Sequence, residues 1–472
     1  MIARIKKLLP TNRFARGVSV LLSGTAGAQL IAVLATPFLT RLYTPQEFGV
    51  LAVYVSVIAL FSVVASAKYE VAIPLPRKHS EAVTLTILAV SVVLLVSLLL
   101  AVVAWFVGPE LVTWLGVSEL SGVTWLIPVG VLLVGLFQVA SYRAVRASSF
   151  GVLAQARVSQ QLAIAVVQLA AFKLSSLGLL LGHTLGQAIG VTPIYRKLLK
   201  NDLWHARSVH HLWRAAHRYR HFPFYSSWAG LLNAAGTHIP PILFAALFSA
   251  SSAGIYALAH RIVAMPMNLL GQAVSQVFLS NAAIDYREGR LTPLVISAQR
   301  ALIQVIAIPS IFLALFASHL FPLIFGEQWI LAGEVAAWLA LWMLVAFSTS
   351  PLSSIFSIVE RQRLGLLMQG VLFSCRVIGI AIGVYYDSFM AAVIWFSIFN
   401  VLGYLIYQVV AFRTIGLSIA TSLKGYWLPL LALAIVYLLR GHIPEVGLFA
   451  IFILGSVASI FYYALLAKRL KK

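Results

Sequence analysis

The chain is 472 residues long, with 61% hydrophobic and 10% charged residue types. Soluble domains run near 45–50% apolar and about 25% charged, and disordered chains are poor in apolar residues, so a soluble globular enzyme and a disordered chain are both excluded. Lys and Arg outnumber Asp and Glu by 34 to 13, a net charge of +21, which in a membrane protein is read first as sidedness and only afterwards as affinity for nucleic acid.

In chain order, residues 1–17 are a basic leader. The apolar run after them continues for a full span, so they read as a cytoplasmic leader and not as a cleaved signal peptide. Apolar runs predict helices over 18–40, 49–67, 82–107, 122–142, 158–172, 176–195, 224–248, 254–280, 297–318, 330–358, 364–385, 389–411, 425–440 and 446–467. The fold class expected is an all-α polytopic membrane protein of about 14 transmembrane helices. The organisation is a first six-helix lobe over 18–195, a basic cytoplasmic connection over 196–223, a second six-helix lobe over 224–411, two appended helices within 412–467, and a cytoplasmic tail over 468–472. Each lobe opens on a polar-flecked helix with proline in its outer half, a short outer loop and a glycine, an order found in transporters built from repeats.

The first lobe carries Gln29 and then Arg41-Leu42-Tyr43-Thr44-Pro45-Gln46-Glu47-Phe48-Gly49. Thr44-Pro45 is expected to end the first helix and Gly49 to permit a tight turn, with Arg41 and Tyr43 as interfacial anchors. Lys68-Tyr69-Glu70 follows, an inner-interface ion pair or a gate at the cytoplasmic mouth. Lys173 ends the fifth predicted helix and His183 lies in the sixth.

The connection from Tyr195 to Trp228 mixes seven Lys and Arg with five His and several aromatics. It reads as an amphipathic helix on the anionic inner leaflet or as a solvated linker between the lobes. The second lobe brings Asn233, His238 and Pro240-Pro241, then Gly254-Ile255-Tyr256-Ala257-Leu258-Ala259-His260-Arg261-Ile262, Pro266, Asn268, Gln272 and Gln276, then Gln304 and Arg376. Prolines inside spans remove a backbone hydrogen bond and kink the helix. Embedded polar groups otherwise serve as interhelical hydrogen bonds.

Basic residues test the count of spans. With the N-terminus inside, 29 of the 34 Lys and Arg fall on the cytoplasmic side, while Glu47, Glu110, Glu119, Glu327, Asp387 and Glu445 fall outside. The alternation stays in phase to the end, as both termini in the cytoplasm require. It also accounts for most of the positive charge, so nucleic acid is not expected as a partner. The lone Cys375 excludes an intrachain disulfide and argues against a cysteine metal site. There is no G-x-x-x-x-G-K-[ST] loop and no room for an ATPase domain.

The segments 41–49 and 254–262, with Lys68 to Pro76, resemble the polysaccharide-biosynthesis flippases of the multidrug/oligosaccharidyl-lipid/polysaccharide (MOP) superfamily, the O-antigen and capsule oligosaccharide exporters. The first matches that family's R-x-Y-x-P-x-E-F-G pattern at each fixed position. The resemblance implies a MOP/MATE-like fold and a flippase, not an enzyme, in the bacterial inner membrane. The implied substrate is an undecaprenyl-diphosphate-linked oligosaccharide of O-antigen, capsule or exopolysaccharide type. The implied partners are that lipid-linked substrate, membrane lipids, and a polysaccharide polymerase with its chain-length regulator.

All 13 Asp and Glu fall in connections or near helix ends, which disfavours a cation-coupled drug exporter and suits an anionic substrate. A buried Arg costs about 2.5–3.5 kcal/mol on insertion scales and normally faces a cavity or partner. Arg376, Arg261, His238, His260, Gln29, Asn233 and Lys173 are therefore the candidates to line a cationic central cavity for the diphosphate. Arg41, Tyr43, Pro45, Glu47, Gly49, Lys68 and Glu70 are the gate and motif candidates. No cofactor or metal is expected, and a coupling ion, H+ or Na+, is left open. The rivals are a lipid-linked peptidoglycan precursor flippase, a small-molecule antiporter, and a membrane polysaccharide polymerase or ligase. The last is disfavoured by the short outer connections.

Overall fold

The computed structural model describes residues 13–199, 209–267 and 271–439. Among these the regular structure is helical, as a bilayer demands: backbone N–H and C=O groups find no water in hydrocarbon and must pair within the segment. The chain divides into two compact units between Gly254 and Ile255.

The first unit holds α1 (Arg13–Leu42), α2 (Pro45–Ala65), the single turn α3 (Tyr69–Ala72), α4 (His79–Trp114), α5 (Leu126–Arg146), α6 (Phe150–Ala170), α7 (Ser176–Ile194), the short α8 (Val209–Arg218) and α9 (Ser227–Leu247). α10 (Ala250–Val263) begins there and continues into the second unit. The second unit holds α11 (Gln272–Arg287), α12 (Leu291–Phe325), α13 (Ile330–Thr349), the turn α14 (Ile355–Ile358), α15 (Gln362–Tyr385), α16 (Phe389–Arg413), the short α17 (Ile419–Leu423) and α18 (Trp427–Leu439).

Among the described residues, eleven helical segments are long and apolar enough to cross a membrane. They correspond to the predicted helices one to seven and nine to twelve. Over the eighth, 254–280, α10 runs to Val263 and α11 starts at Gln272; Ala264 is a turn residue, Met265 and Pro266 are helical, and 268–270 lie outside the described residues. The thirteenth appears as α18, and the fourteenth, 446–467, lies outside the described residues, as do Asn268, most of the leader and the tail.

Small residues set the closest packing. Gly178, Gly182, Gly186 and Gly190 recur every fourth position of α7 and face α6. A Cβ at Gly182 would stand 2.4 Å from Gln168 Cγ, and one at Gly186 would stand 2.2 Å from Ile164 Cγ1. Without a hydrophobic drive between helices in lipid, such stripes let backbones approach and gain dispersion contact. Side-chain hydrogen bonds then lock the bundle. In the first unit, Tyr54 Oη lies 2.6 Å from Thr184 Oγ1, and Gln160 Nε2 donates to Gln187 Oε1 at 2.5 Å. In the second, Tyr426 donates to Gln408 and lies 2.7 Å from Ser348 Oγ, while Gln299 and Gln408 both donate to the Ser422 carbonyl. Each removes a polar group from contact with hydrocarbon.

Candidate functional site

The motif 41–49 joins α1 to α2. α1 runs to Leu42, and Arg41 is exposed in its last turn. As expected, the first helix ends before Thr44-Pro45, and the pair also begins the second. Thr44 is the N-cap of α2 and Pro45 its first residue, where the missing N–H has no role. Glu47 completes a capping box, its carboxylate accepting from the Thr44 N–H at 2.7 Å while its own N–H donates to Thr44 Oγ1.

Two expectations are corrected here. Tyr43 is no interfacial anchor but a buried residue, 1% exposed, whose hydroxyl donates to the Gln168 carbonyl at 2.7 Å. Burial, with the Glu47 carboxylate adding to it, pushes the Tyr43 hydroxyl up to about 12, so it stays a donor at physiological pH. Gly49 is helical within α2 and makes no turn. Its need is space: a Cβ there would lie 1.7 Å from the Ala250 carbonyl oxygen, and a Cβ on Gly254 would lie 1.9 Å from that of Pro45 and 2.7 Å from the Gly49 nitrogen. The glycines of the two motif segments therefore pack on each other's backbone.

Lys68 and Glu70 lie at the opposite end of α2. Ala67 and Lys68 both have positive φ, 49° and 60°, a conformation that costs a non-glycine residue energy and persists only when its surroundings impose it. The kink brings Lys68 Nζ to 3.7 Å from the Glu70 carboxylate, which is 1% exposed and also accepts from Ser66. Arg146, from the end of α5, clamps the following loop by donating to the carbonyls of Ile73, Pro74 and Pro76, the last at 2.6 Å. Gln29 is half-buried on α1, His238 half-buried and Asn233 exposed on α9, and Lys173 is exposed in the turn between α6 and α7.

In the second unit, Arg376 stands in mid-α15 and is half-buried. Its Nε donates to Asn400 Oδ1 at 3.0 Å and its Nη2 to the Tyr404 hydroxyl at 3.3 Å. Asn400 and Tyr404 are one turn apart on α16, so both face α15, and Asn400 is itself fixed by donating to the Phe396 carbonyl at 2.9 Å. Arg376 also interacts electrostatically with Tyr256 of α10. From Tyr256 runs an aromatic stack: His260 lies 5.5 Å from its ring and 5.1 Å from Trp342, nearly parallel to both, while Phe396 meets Tyr256 edge-on at 5.6 Å. Among the described residues Trp342 Nε1 is buried with no hydrogen-bond partner. The half-buried Arg261 follows His260 on α10.

Of the predicted cavity residues, then, Arg376 and His260 belong to one connected cluster. Gln29, Lys173, Asn233 and His238 belong to the first unit. Sequence reasoning missed Asn400, Tyr404 and Trp342. The Asn400 and Tyr404 pair, four apart in a span, was the available signal.

A family model described as polysaccharide biosynthesis protein matches residues 38–333. The chain belongs to that family. The match spans both the motif around Tyr43 and the α10 segment that carries Tyr256 and His260. No curated protein matches the sequence. Among solved structures, the lipid II flippase MurJ in an inward closed conformation aligns at a TM-score of 0.76 and 13% identity, covering 96% of this chain and 100% of that one. An inward-facing multidrug resistance MATE transporter of the MOP superfamily aligns at 0.58 and 13%, covering 84% and 94%. A MOP-superfamily transporter from Pyrococcus furiosus aligns at 0.57 and 14%, covering 88% and 98%. These likenesses show the fold. The family member described here is a multi-pass membrane protein with the fold of the MOP transporters.

Proposed function

We propose that the chain is a flippase that carries an undecaprenyl-diphosphate-linked oligosaccharide, an O-antigen, capsule or exopolysaccharide repeat unit, from the cytoplasmic to the periplasmic leaflet by alternating access. The observation that carries this reading is Arg376. A guanidinium placed mid-span and oriented by Asn400 and Tyr404 is suited to grip a diphosphate, because its planar fork makes paired charge-assisted hydrogen bonds. The polyprenyl tail stays in lipid while the head crosses. The membrane is the bacterial inner membrane, with both termini in the cytoplasm, supported by the placement of 29 of 34 basic residues.

A deletion strain tests this. Lipid-linked oligosaccharide should accumulate facing the cytoplasm, and surface polysaccharide should return on complementation. Unchanged outer-leaflet oligosaccharide in the deletion would sink the proposal. Reporter fusions after Lys200 should read cytoplasmic and those after Glu119 and Asp387 periplasmic.

A second reading is favoured by the likeness to the lipid II flippase MurJ, which extends over 96% of this chain: a lipid-linked peptidoglycan precursor as substrate. It shares the diphosphate head, so Arg376 does not discriminate. The same deletion does, since that substrate would make loss of the protein arrest wall synthesis and leave surface polysaccharide intact.

A further inference from the structure

The short helix α8 (Val209–Arg218) sorts its side chains into two faces. On a helical wheel Val209, Leu212, Trp213, Ala215 and Ala216 fall on one arc, and His210, His211, Arg214, His217 and Arg218 on the other. Leu212, Ala215 and Ala216 are half-buried, and α8 packs against α4. Two bonds fasten it: the Tyr69 hydroxyl donates to the Ala216 carbonyl at 3.3 Å, and Arg218 pairs with Glu81 of α4 at 3.4 Å.

What is left over points outward. Trp213 is 71% exposed, at the border between the two faces. Arg214, His210, His211 and His217 are exposed beside it. The connection joins the spans Ser176–Leu198 and Gly230–Leu247, so α8 lies at one membrane surface and cannot stand far from it. Phe224 and Trp228, at the start of the next span, are 68% and 70% exposed. A tryptophan with an apolar body and an N–H edge settles at headgroup depth, and a basic face beside it complements negative headgroups.

From this charge complementarity we infer that α8 is an interfacial helix that binds anionic phospholipid, with Trp213 seated among the headgroups and Arg214 pairing with their phosphates. A solvated linker would do neither. Tyr69 and Glu81 hold α8 against the protein on its other side.

Hydrogen exchange on the full-length protein in lipid nanodiscs tests the inference. Discs of phosphatidylcholine alone are compared with discs that also contain phosphatidylglycerol. Backbone amides of 209–218 should exchange about five-fold more slowly in the anionic discs, the effect of one basic residue at such a surface. Arg214→Gln should remove most of that difference, as should high salt. Arg214 is exposed, so the variant keeps its fold, checked by unchanged protection of α13. Equal exchange in the two discs overturns the inference, and so does an anionic effect that survives both Arg214→Gln and high salt. Inorganic phosphate reproducing the protection in neutral discs would also overturn it, by making α8 a phosphate site and not a membrane surface.

Discussion

The joint between α1 and α2 and the cluster around Arg376 use polar residues in opposite ways. At the joint the polar groups pair within the protein, Tyr43 with the Gln168 carbonyl and Thr44 and Glu47 with each other, and Gly49 lies tight against the backbone of residue 250. Around Arg376 the polar groups instead orient a charge: Asn400 and Tyr404 hold a half-buried guanidinium in mid-helix. The segment 41–49 therefore holds helices together, while the guanidinium suited to recognition sits elsewhere, on α15.

The strongest way to break this comparison is to fill the glycine contact. Gly49→Val or Gly254→Val would drive a side chain into a backbone carbonyl, which cannot rotate aside as a side chain can. Overpacking commonly costs 1–3 kcal/mol, and with backbone as the obstacle about 3 kcal/mol or more is expected. Both variants should fall steeply in membrane abundance and in Tm after solubilisation. Normal abundance and Tm with transport abolished would instead make the joint a working part of the cycle.

The joint also shows what the sequence could convey. Thr-Pro with Glu three residues after the Thr signals a helix start as well as a helix end, and both occur there. Tyr43 and Gly49 were not legible in the same way, because their partners, Gln168 and Ala250, are more than a hundred positions distant. Hydropathy located eleven spans since each must cover the same hydrocarbon thickness. Arg376 was legible as a charge out of place, but its orienting pair, Asn400 and Tyr404, became evident only once α15 and α16 were seen together.

The Arg376 cluster predicts the opposite phenotype from the glycines, function lost with the protein present. Losing a charge-assisted contact costs about 1.5–3 kcal/mol, so Arg376→Ala should lower transport roughly 10- to 150-fold at normal abundance. Arg376→Lys should restore part of it, because a point charge replaces a fork that spans Asn400 and Tyr404. Complementation of polysaccharide display, normalised to protein level, measures this. Full display from Arg376→Ala would remove the main support for the cluster as a site.

Tyr43→Phe sharpens the contrast from the structural side. It leaves the Gln168 carbonyl without this donor, at about 1–3 kcal/mol, and should lower Tm with transport per molecule unchanged. Its pH signature has a definite sign. The folded state holds the hydroxyl up to about 12, above the ordinary value near 10. The contribution is therefore whole below about pH 10 and lost as pH rises from about 10 to 12. The wild type should shed stability across that window more steeply than Tyr43→Phe, and equal slopes would show that the burial of Tyr43 does not matter in solution.

The smallest effect belongs to the cap of α2. Thr44 and Glu47 satisfy one another's backbone N–H groups at an exposed helix start, and replacing such a cap by Ala costs about 1 kcal/mol. Thr44→Ala should therefore lower Tm by a few degrees or less, and Thr44→Ser should restore it because serine offers the same acceptor. Glu47→Gln keeps an acceptor for the Thr44 N–H and should cost less than Glu47→Ala. Because the joint is read here as purely structural, all four variants should transport in proportion to their abundance. If Thr44→Ala impairs transport beyond its loss of protein while Thr44→Ser does not, then the start of α2 has to hold its shape during the transport cycle itself, and the division between a joint that only binds helices and a cluster that only recognises substrate fails at this residue.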